Sequence, residues 1–129
     1  MKILLDTCTF LWIITDDARL SSKAKTLFEA SENEVFLSVA STWEIAVKYK
    51  LGKLPLPVSP DQYIPRKREQ HGIDCLLLDE QATLYLPKLP DLHRDPFDRI
   101  LICQAIVQGM CLLTPDPLIN QYPVHTQWK

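Results

Sequence analysis

The sequence has no excess of charge of either sign: 14 lysines and arginines stand against 16 aspartates and glutamates, a net of −2. A chain so balanced has no global field to draw in a polyanion, so any nucleic-acid partner has to be held by a local basic patch. The sequence also lacks an apolar run approaching the roughly 20 residues of a membrane span. Its opening, MKILLDTCTFLWII, is apolar but is cut by Asp6 and has no small-residue cleavage site, so it does not read as a signal peptide. Paired cysteines are missing too. Cys8, Cys75, Cys103 and Cys111 form no C-x-x-C pair and no metal-finger spacing. Three of them sit inside apolar runs, where free cysteine behaves as a small hydrophobe, and the expectation is a reducing, cytoplasmic compartment. His71, His93 and His125 are far apart in sequence and read as surface or supporting residues, which leaves no cluster for a softer metal. There is no internal repeat and no low-complexity segment.

What remains is an ordinary globular composition, 47% apolar and 23% charged, on a length that fits one domain spanning residues 1–129. Such a chain buries roughly two thirds of the surface exposed when unfolded, enough for a core without staples. KILLD and CLLT are short apolar runs without alternation, the pattern of strands covered on both faces. NEVFLS and IDCLLL add two more strands, and YPVHTQW a last edge strand. Helices are predicted between them: TCTFLWIIT, SSKAKTLFEAS, SVASTWEIAVKYKLG, SPDQYIPRKREQHG and DEQATLYLPKL, then the apolar RILICQAIVQG. Gly52 and Gly72 are placed to end helices in the left-handed conformation, and Pro65 is a point where the fourth helix ends or kinks. Strands alternating with helices predict an α/β fold: a mainly parallel central sheet of four to five strands flanked by helices.

Sites in parallel sheets form beyond the carboxyl ends of the strands, and two acids stand there. Asp6 ends the first strand and Asp116 follows CLLT; each is equally explained as a turn or cap residue. Glu44 lies mid-helix. It either makes an i,i+4 surface pair with Lys48, worth about 0.2–0.5 kcal/mol, or points into a cleft. In HRDPFDR, Asp95 before Pro96 is a good N-cap, and Asp98 at the third helical position favours the helix dipole. The helix that follows is apolar on nearly every side and so predicted buried, and a charged first turn on a buried helix has to point at something. If Asp6, Glu44, Asp98 and Asp116 converge, they need a cation. Two carboxylates about 4 Å apart repel by roughly 4 kcal/mol at an effective dielectric of 20, or about three pKa units. A hard, oxygen-seeking ion such as Mg²⁺ or Mn²⁺ answers that charge.

The ordered set ILLDT, SVASTWEIAVKYKLGKLPLP, HRDPFDRILICQA and LLTPD resembles the PIN-domain family across essentially the full chain, and more narrowly the VapC-type toxins of bacterial toxin–antitoxin pairs. The resemblance implies a PIN-like fold and a Mg²⁺- or Mn²⁺-dependent endoribonuclease that hydrolyses RNA phosphodiester bonds. It implies Asp6, Glu44, Asp98 and Asp116 as catalytic residues and metal ligands, with Asp95 as the alternative third acid and Thr114 as the hydroxyl beside the fourth. Asp6 and Asp98 are then the direct ligands, while Glu44 and Asp116 bind a second ion or orient the water. It also implies a homodimer and a small antitoxin protein that blocks the site. Phe10, Leu11, Trp12 and Trp43 are the candidates to line an apolar groove for it, against the plainer reading that they are core. Phosphate contacts would come from Lys48, Lys50 and Lys53, from Arg66, Lys67 and Arg68, or from Arg94 and Arg99. Two other readings compete: a phosphoryl-transfer enzyme using Asp6 as nucleophile, weakened by Cys8 where a second acid is usual, and a non-catalytic PIN-like binding module whose acids are caps and surface charges.

Overall fold

Each short apolar run becomes a strand. In a computed structural model that describes residues 1–129, the chain order is β1 (Lys2–Leu5), α1 (Thr7–Ile14), α2 (Ser22–Glu29), β2 (Glu34–Ser38), α3 (Val39–Lys50), α4 (Pro60–His71), β3 (Asp74–Leu76), α5 (Glu80–Tyr85), α6 (Pro96–Gln108), β4 (Cys111–Leu113) and β5 (Thr126–Gln127). One 3₁₀ turn, Leu86–Lys88, prolongs α5, and a second, Ile119–Gln121, lies between β4 and β5. The five strands form one sheet in the order β3-β2-β1-β4-β5, and every pairing is parallel.

The absence of alternation in β1 is explained by its place at the centre. Ile3, Leu4 and Leu5 are all fully buried, because successive side chains point to opposite faces and both faces are covered. Ile3 and Leu5 join Val35, Leu37 and Leu113 against Phe10, Ile13, Ala24, Ile45 and Ile64. Leu4 joins Leu112 on the other face, against Leu101, Ile102, Ile119 and Tyr122. The molecule is therefore a three-layer α/β/α stack with two cores divided by the sheet. Each fully buried aliphatic side chain contributes about 1.5–3 kcal/mol of transfer free energy. Those two cores are the reserve against which the strained charge of the site is set.

The caps fall where side-chain chemistry puts them. Asp6, Ser21, Ser38, Asp79 and Asp95 each accept a backbone N–H at the start of a helix. Gly72 and Gly109 close α4 and α6 in the left-handed conformation, at φ +66° each. Pro65 neither ends nor kinks α4 into two pieces: the helix runs unbroken from Pro60 to His71. It sits near the helix start, where the hydrogen bond it cannot donate is one of the first of the ladder. Cys75, one of the cysteines in an apolar run, is exposed, because β3 is a sheet edge. No helix is long and apolar enough to cross a membrane.

One register detail positions the site. Leu5 of β1 is paired with Leu113 of β4, so the next residues, Asp6 and Thr114, leave the sheet side by side. The backbone N–H of Asp6 still donates to the carbonyl of Leu113, at 3.1 Å.

Candidate active site

Beyond the carboxyl ends of β1 and β4 lies a hollow of about 390 Å³ whose wall includes Asp6, Glu44, Asp95, Asp98 and Asp116 together with Lys48 and Lys53. Four elements deliver the acids. Asp6 stands between β1 and α1, Glu44 comes from the middle of α3, Asp98 from the first turn of α6, and Asp116 from the loop after β4. The four acids that the sequence singled out are thus neighbours in space, and Asp6 and Glu44 are buried.

Two threonines tie three of the acids together. Thr7 donates its N–H to Asp6 Oδ1 (2.8 Å) and its hydroxyl to Glu44 Oε1 (2.7 Å). The Thr114 hydroxyl donates to Asp6 Oδ2 (2.6 Å) and accepts the N–H of Asp116 (3.1 Å). Glu44, Thr7, Asp6, Thr114 and Asp116 therefore form one hydrogen-bonded chain in which both Asp6 oxygens act as acceptors. Charge-assisted bonds of this kind are short and roughly twice as strong as neutral ones. Glu44 satisfies both readings of its position. It pairs with Lys48 across one helical turn, with Nζ–Oε2 at 2.6 Å, and it is buried against the hollow. That bond raises the Lys48 ammonium pKa and keeps it charged.

Asp95 takes the cap role, accepting from the N–H groups of Phe97 (2.9 Å) and Asp98 (3.3 Å). This frees Asp98 from capping, and its carboxylate is left with repulsion. Burial, and then the charges of Asp6, Asp95, Glu44 and Asp116, push its pKa up to about 8. Burial also raises Asp6, seconded by Glu44 and Asp116, while the bonds from Thr114 and Thr7 pull the other way. Cys8 is driven to about 12 by burial and by the Asp6 charge, so its thiol stays neutral.

The remaining candidates divide. Of the basic residues, only Lys48 and Lys53 line the hollow. Arg99 is not free for phosphate: its guanidinium donates to the carbonyls of Pro90 (2.9 Å) and His93 (3.4 Å) and pairs with Asp91. On α4, Lys67 lies over the Tyr63 ring and Arg68 donates to the Ile73 carbonyl. Among the groove candidates, Phe10 is fully buried core, whereas Trp43 is 65% exposed and meets Phe97 edge-on at 5.3 Å. Leu11 and Trp12, half-buried, line a groove with Leu54, Leu56 and Tyr63 that adjoins the hollow, since Leu11 and Leu54 line both.

Sequence reasoning missed His93. Its ring nitrogen lies with the carboxylate oxygens of Asp98 and Asp116 in a group whose atoms are all within 4.8 Å of one another. This group of three brings Asp98 and Asp116 together with a histidine and does not include Asp6 or Glu44. The only signal for His93 was its place two residues before the capping Asp95.

The donors fit a divalent cation. Hard carboxylate oxygens from four elements face one hollow, and one of them resists ionisation until near pH 8. This is a site with surplus negative charge.

Comparison with known proteins bears on the family and the fold. The family model of the PIN domain matches residues 3–124. Ribonuclease VapC16 of Mycobacterium tuberculosis is 34% identical over 64 residues, a match covering 50% of this chain and 45% of that protein, so the chain spans less than half the length of this relative. VapBC2 from Rickettsia felis, solved bound to a DNA fragment from its promoter, superposes with a TM-score of 0.68 at 15% identity, covering all of both chains. DNA-bound VapBC from Salmonella typhimurium gives 0.67 at 16% identity over 98% of this chain and 97% of that one. VapBC-1 from nontypeable Haemophilus influenzae gives 0.65 at 16% identity over 98% and 97%. At these identities the likeness of the solved structures is one of fold.

Proposed function

The chain belongs to the PIN-domain family, and from that premise we propose that it is a Mg²⁺- or Mn²⁺-dependent endoribonuclease, the toxin of a toxin–antitoxin pair. One observation carries the reading. Asp6, Glu44, Asp98 and Asp116 are brought from four elements to one hollow, where burial and then the neighbouring carboxylates push Asp98 up to about 8. The curated relative is a ribonuclease and the solved neighbours are VapBC toxin–antitoxin complexes, which supports the same assignment.

In this reading Asp6, Glu44, Asp98 and Asp116 supply the metal ligands. A divalent cation bound there supplies Lewis-acid polarisation of the phosphodiester and lowers the pKa of water for in-line attack. The chain's own residues do the rest. Thr7 and Thr114 hold Asp6 with both oxygens as acceptors, aimed by the register of β1 and β4. Lys48 fixes Glu44, and in this reading Glu44 and Asp116 would bind a second ion or orient a water molecule. Lys53, on the rim, offers positive charge for an RNA phosphate. Asp98 holds a proton near neutral pH and releases it when positive charge enters.

The assembly is part of the proposal. The groove of Leu11, Trp12, Leu54 and Leu56 suits the apolar anchors of a small antitoxin. The face of Val39, Trp43, Leu78, Leu86, Phe97 and Ile100, almost entirely apolar, suits a homodimer.

The rival phosphoryl-transfer chemistry usually carries a second acid two positions after the nucleophile, and here that residue is Cys8, whose thiol stays neutral. The test is incubation of the purified protein with total RNA, with Mg²⁺, with Mn²⁺ and with chelator, followed by sequencing of the cut ends. Metal-dependent cleavage lost in Asp6→Asn and Asp98→Asn is expected. Cleavage that survives chelator, or that both variants retain, would end the proposal. No cleavage, and no heat on adding Mn²⁺, would favour the non-catalytic module.

A further inference from the structure

The acids account for a hard-ion site, but they leave His93 unexplained. Both its ring nitrogens are buried and neither has a hydrogen-bond partner. A neutral imidazole has one donor and one acceptor, and buried polar atoms are normally satisfied. Orphaning both is unusual for a ring that is otherwise carefully held. Its face packs on Tyr122, with ring centroids 5.3 Å apart at 58°. The backbone N–H of His93 donates to the Tyr122 hydroxyl at 3.1 Å. Its carbonyl accepts from Arg99, which also grips Pro90 and Asp91. The segment ahead of α6 is thus stapled from both sides, and what the staples present is an unpartnered ring beside two carboxylates.

The ligand atoms of His93, Asp98 and Asp116 lie within 4.8 Å of one another. No hydrogen bond joins the ring to either acid. A single cation spans such a spacing with small rotations of the side chains, and it would satisfy the imidazole lone pair and both charges at once. Imidazole nitrogen is a better partner for first-row transition ions, Mn²⁺ being the weakest of them, than for Mg²⁺, which prefers oxygen.

We propose that His93 is a nitrogen ligand of the metal centre at its Asp98–Asp116 end, making that end a mixed nitrogen–oxygen site that favours Mn²⁺ over Mg²⁺. The proposal rests on the metal-dependent reading above and adds to it which residue sets ion preference.

Two measurements test it. The first uses the unaltered protein, ¹⁵N-labelled and titrated with diamagnetic Zn²⁺ while long-range ¹H–¹⁵N spectra follow the three histidine rings. One His93 ring nitrogen is expected to move to the metal-bound position, with His71 and His125 unmoved. The second compares Mn²⁺ and Mg²⁺ affinities by calorimetry in the native protein and in His93→Gln and His93→Leu. The Mn²⁺-to-Mg²⁺ affinity ratio is expected to fall by about tenfold or more in both variants, the size that removing a supporting partner commonly costs, with Mg²⁺ affinity little changed. A native protein that binds Mn²⁺ while the His93 nitrogens stay put overturns the assignment of His93 and leaves the metal reading intact. So does an equal loss of both ions in the variants. A native protein that binds neither ion removes both.

Discussion

Asp98→Asn should make the metal-free protein more stable at neutral pH, and the size of the gain follows from the site. The folded protein holds the Asp98 proton up to about pH 8, whereas the unfolded chain gives it up near the ordinary aspartate value of 3.8. Between those values the folded state binds more protons than the unfolded one, so stability falls as pH rises. It is fully present below the unfolded pKa and is gone above the folded one. At face value the loss is about 1.36 kcal/mol per pH unit, near 3 kcal/mol between pH 5 and 7. Asp98 is partly exposed and solvent screens its neighbours, so about 1–2 kcal/mol is the realistic figure. The assay is urea unfolding in chelator at pH 5, 6, 7 and 8, comparing native protein with Asp98→Asn. The difference between the two should widen in the variant's favour as pH rises, which isolates Asp98 from other titrating groups. Parallel pH curves, or a variant less stable at pH 7 than at pH 5 by as much as the native protein, would refute the claim that Asp98 carries the surplus charge.

Other outcomes follow from the same electrostatics. Mn²⁺ binding at pH 7 should release about one proton, seen as a buffer-dependent calorimetric heat, and affinity should climb with pH and level off near pH 8, where Asp98 is already ionised; a buffer-independent heat would count against it. Thr114→Val, nearly the same shape, removes the donor to Asp6 Oδ2 and the acceptor for the Asp116 N–H; it should raise Asp6 further and move the alkaline-rising limb of the cleavage pH profile upward, whereas an unmoved limb would show that bond to be incidental. Asp95→Asn should keep stability within a few tenths of a kcal/mol while Asp95→Ala loses about 1 kcal/mol by thermal melting, since asparagine caps as well as aspartate and alanine does not cap; equal losses would mean that Asp95 acts by charge and not by capping.

The sheet was legible because burial on both faces leaves a plain mark. KILLD and CLLT lack alternation, and they are the central pair. Asp6 and Asp116 were found by place alone, since a residue just past a parallel strand is at the mouth of a site whatever its type. Glu44 could not be settled from sequence, and the reason is physical: its bond to Lys48 and its burial against the hollow use different sides of one carboxylate. Residues fixed by loop geometry were illegible. HRD carries no periodicity, so nothing in it tells that Tyr122, from far along the chain, turns His93 toward Asp98. Arg99 carries the same lesson in reverse. As a string it sits beside an acid and suggests phosphate; in the fold three carbonyl and carboxylate partners at Pro90, His93 and Asp91 occupy it. Phe10 was a candidate for a groove, yet an aromatic one turn into a helix that starts at a strand end points back over the sheet and is fully buried.

The conflict between folding and chemistry is settled by where the charges are anchored. Asp6, Glu44 and Asp116 are joined through Thr7 and Thr114, whose hydroxyls stabilise carboxylates without adding positive charge. Had arginines done that work, the acids would be comfortable and the hollow would have little need of a cation. Threonine orders the oxygens and leaves their repulsion standing. Asp98, outside that chain of bonds, is raised first by burial and then by that repulsion. The energy to hold such an arrangement comes from the two apolar cores on either side of β1, one residue away from Asp6. The strand that anchors the fold most deeply is thus the strand that ends in the first acid, and a change that loosens β1, such as Leu4→Ala, should disturb the site and the fold together.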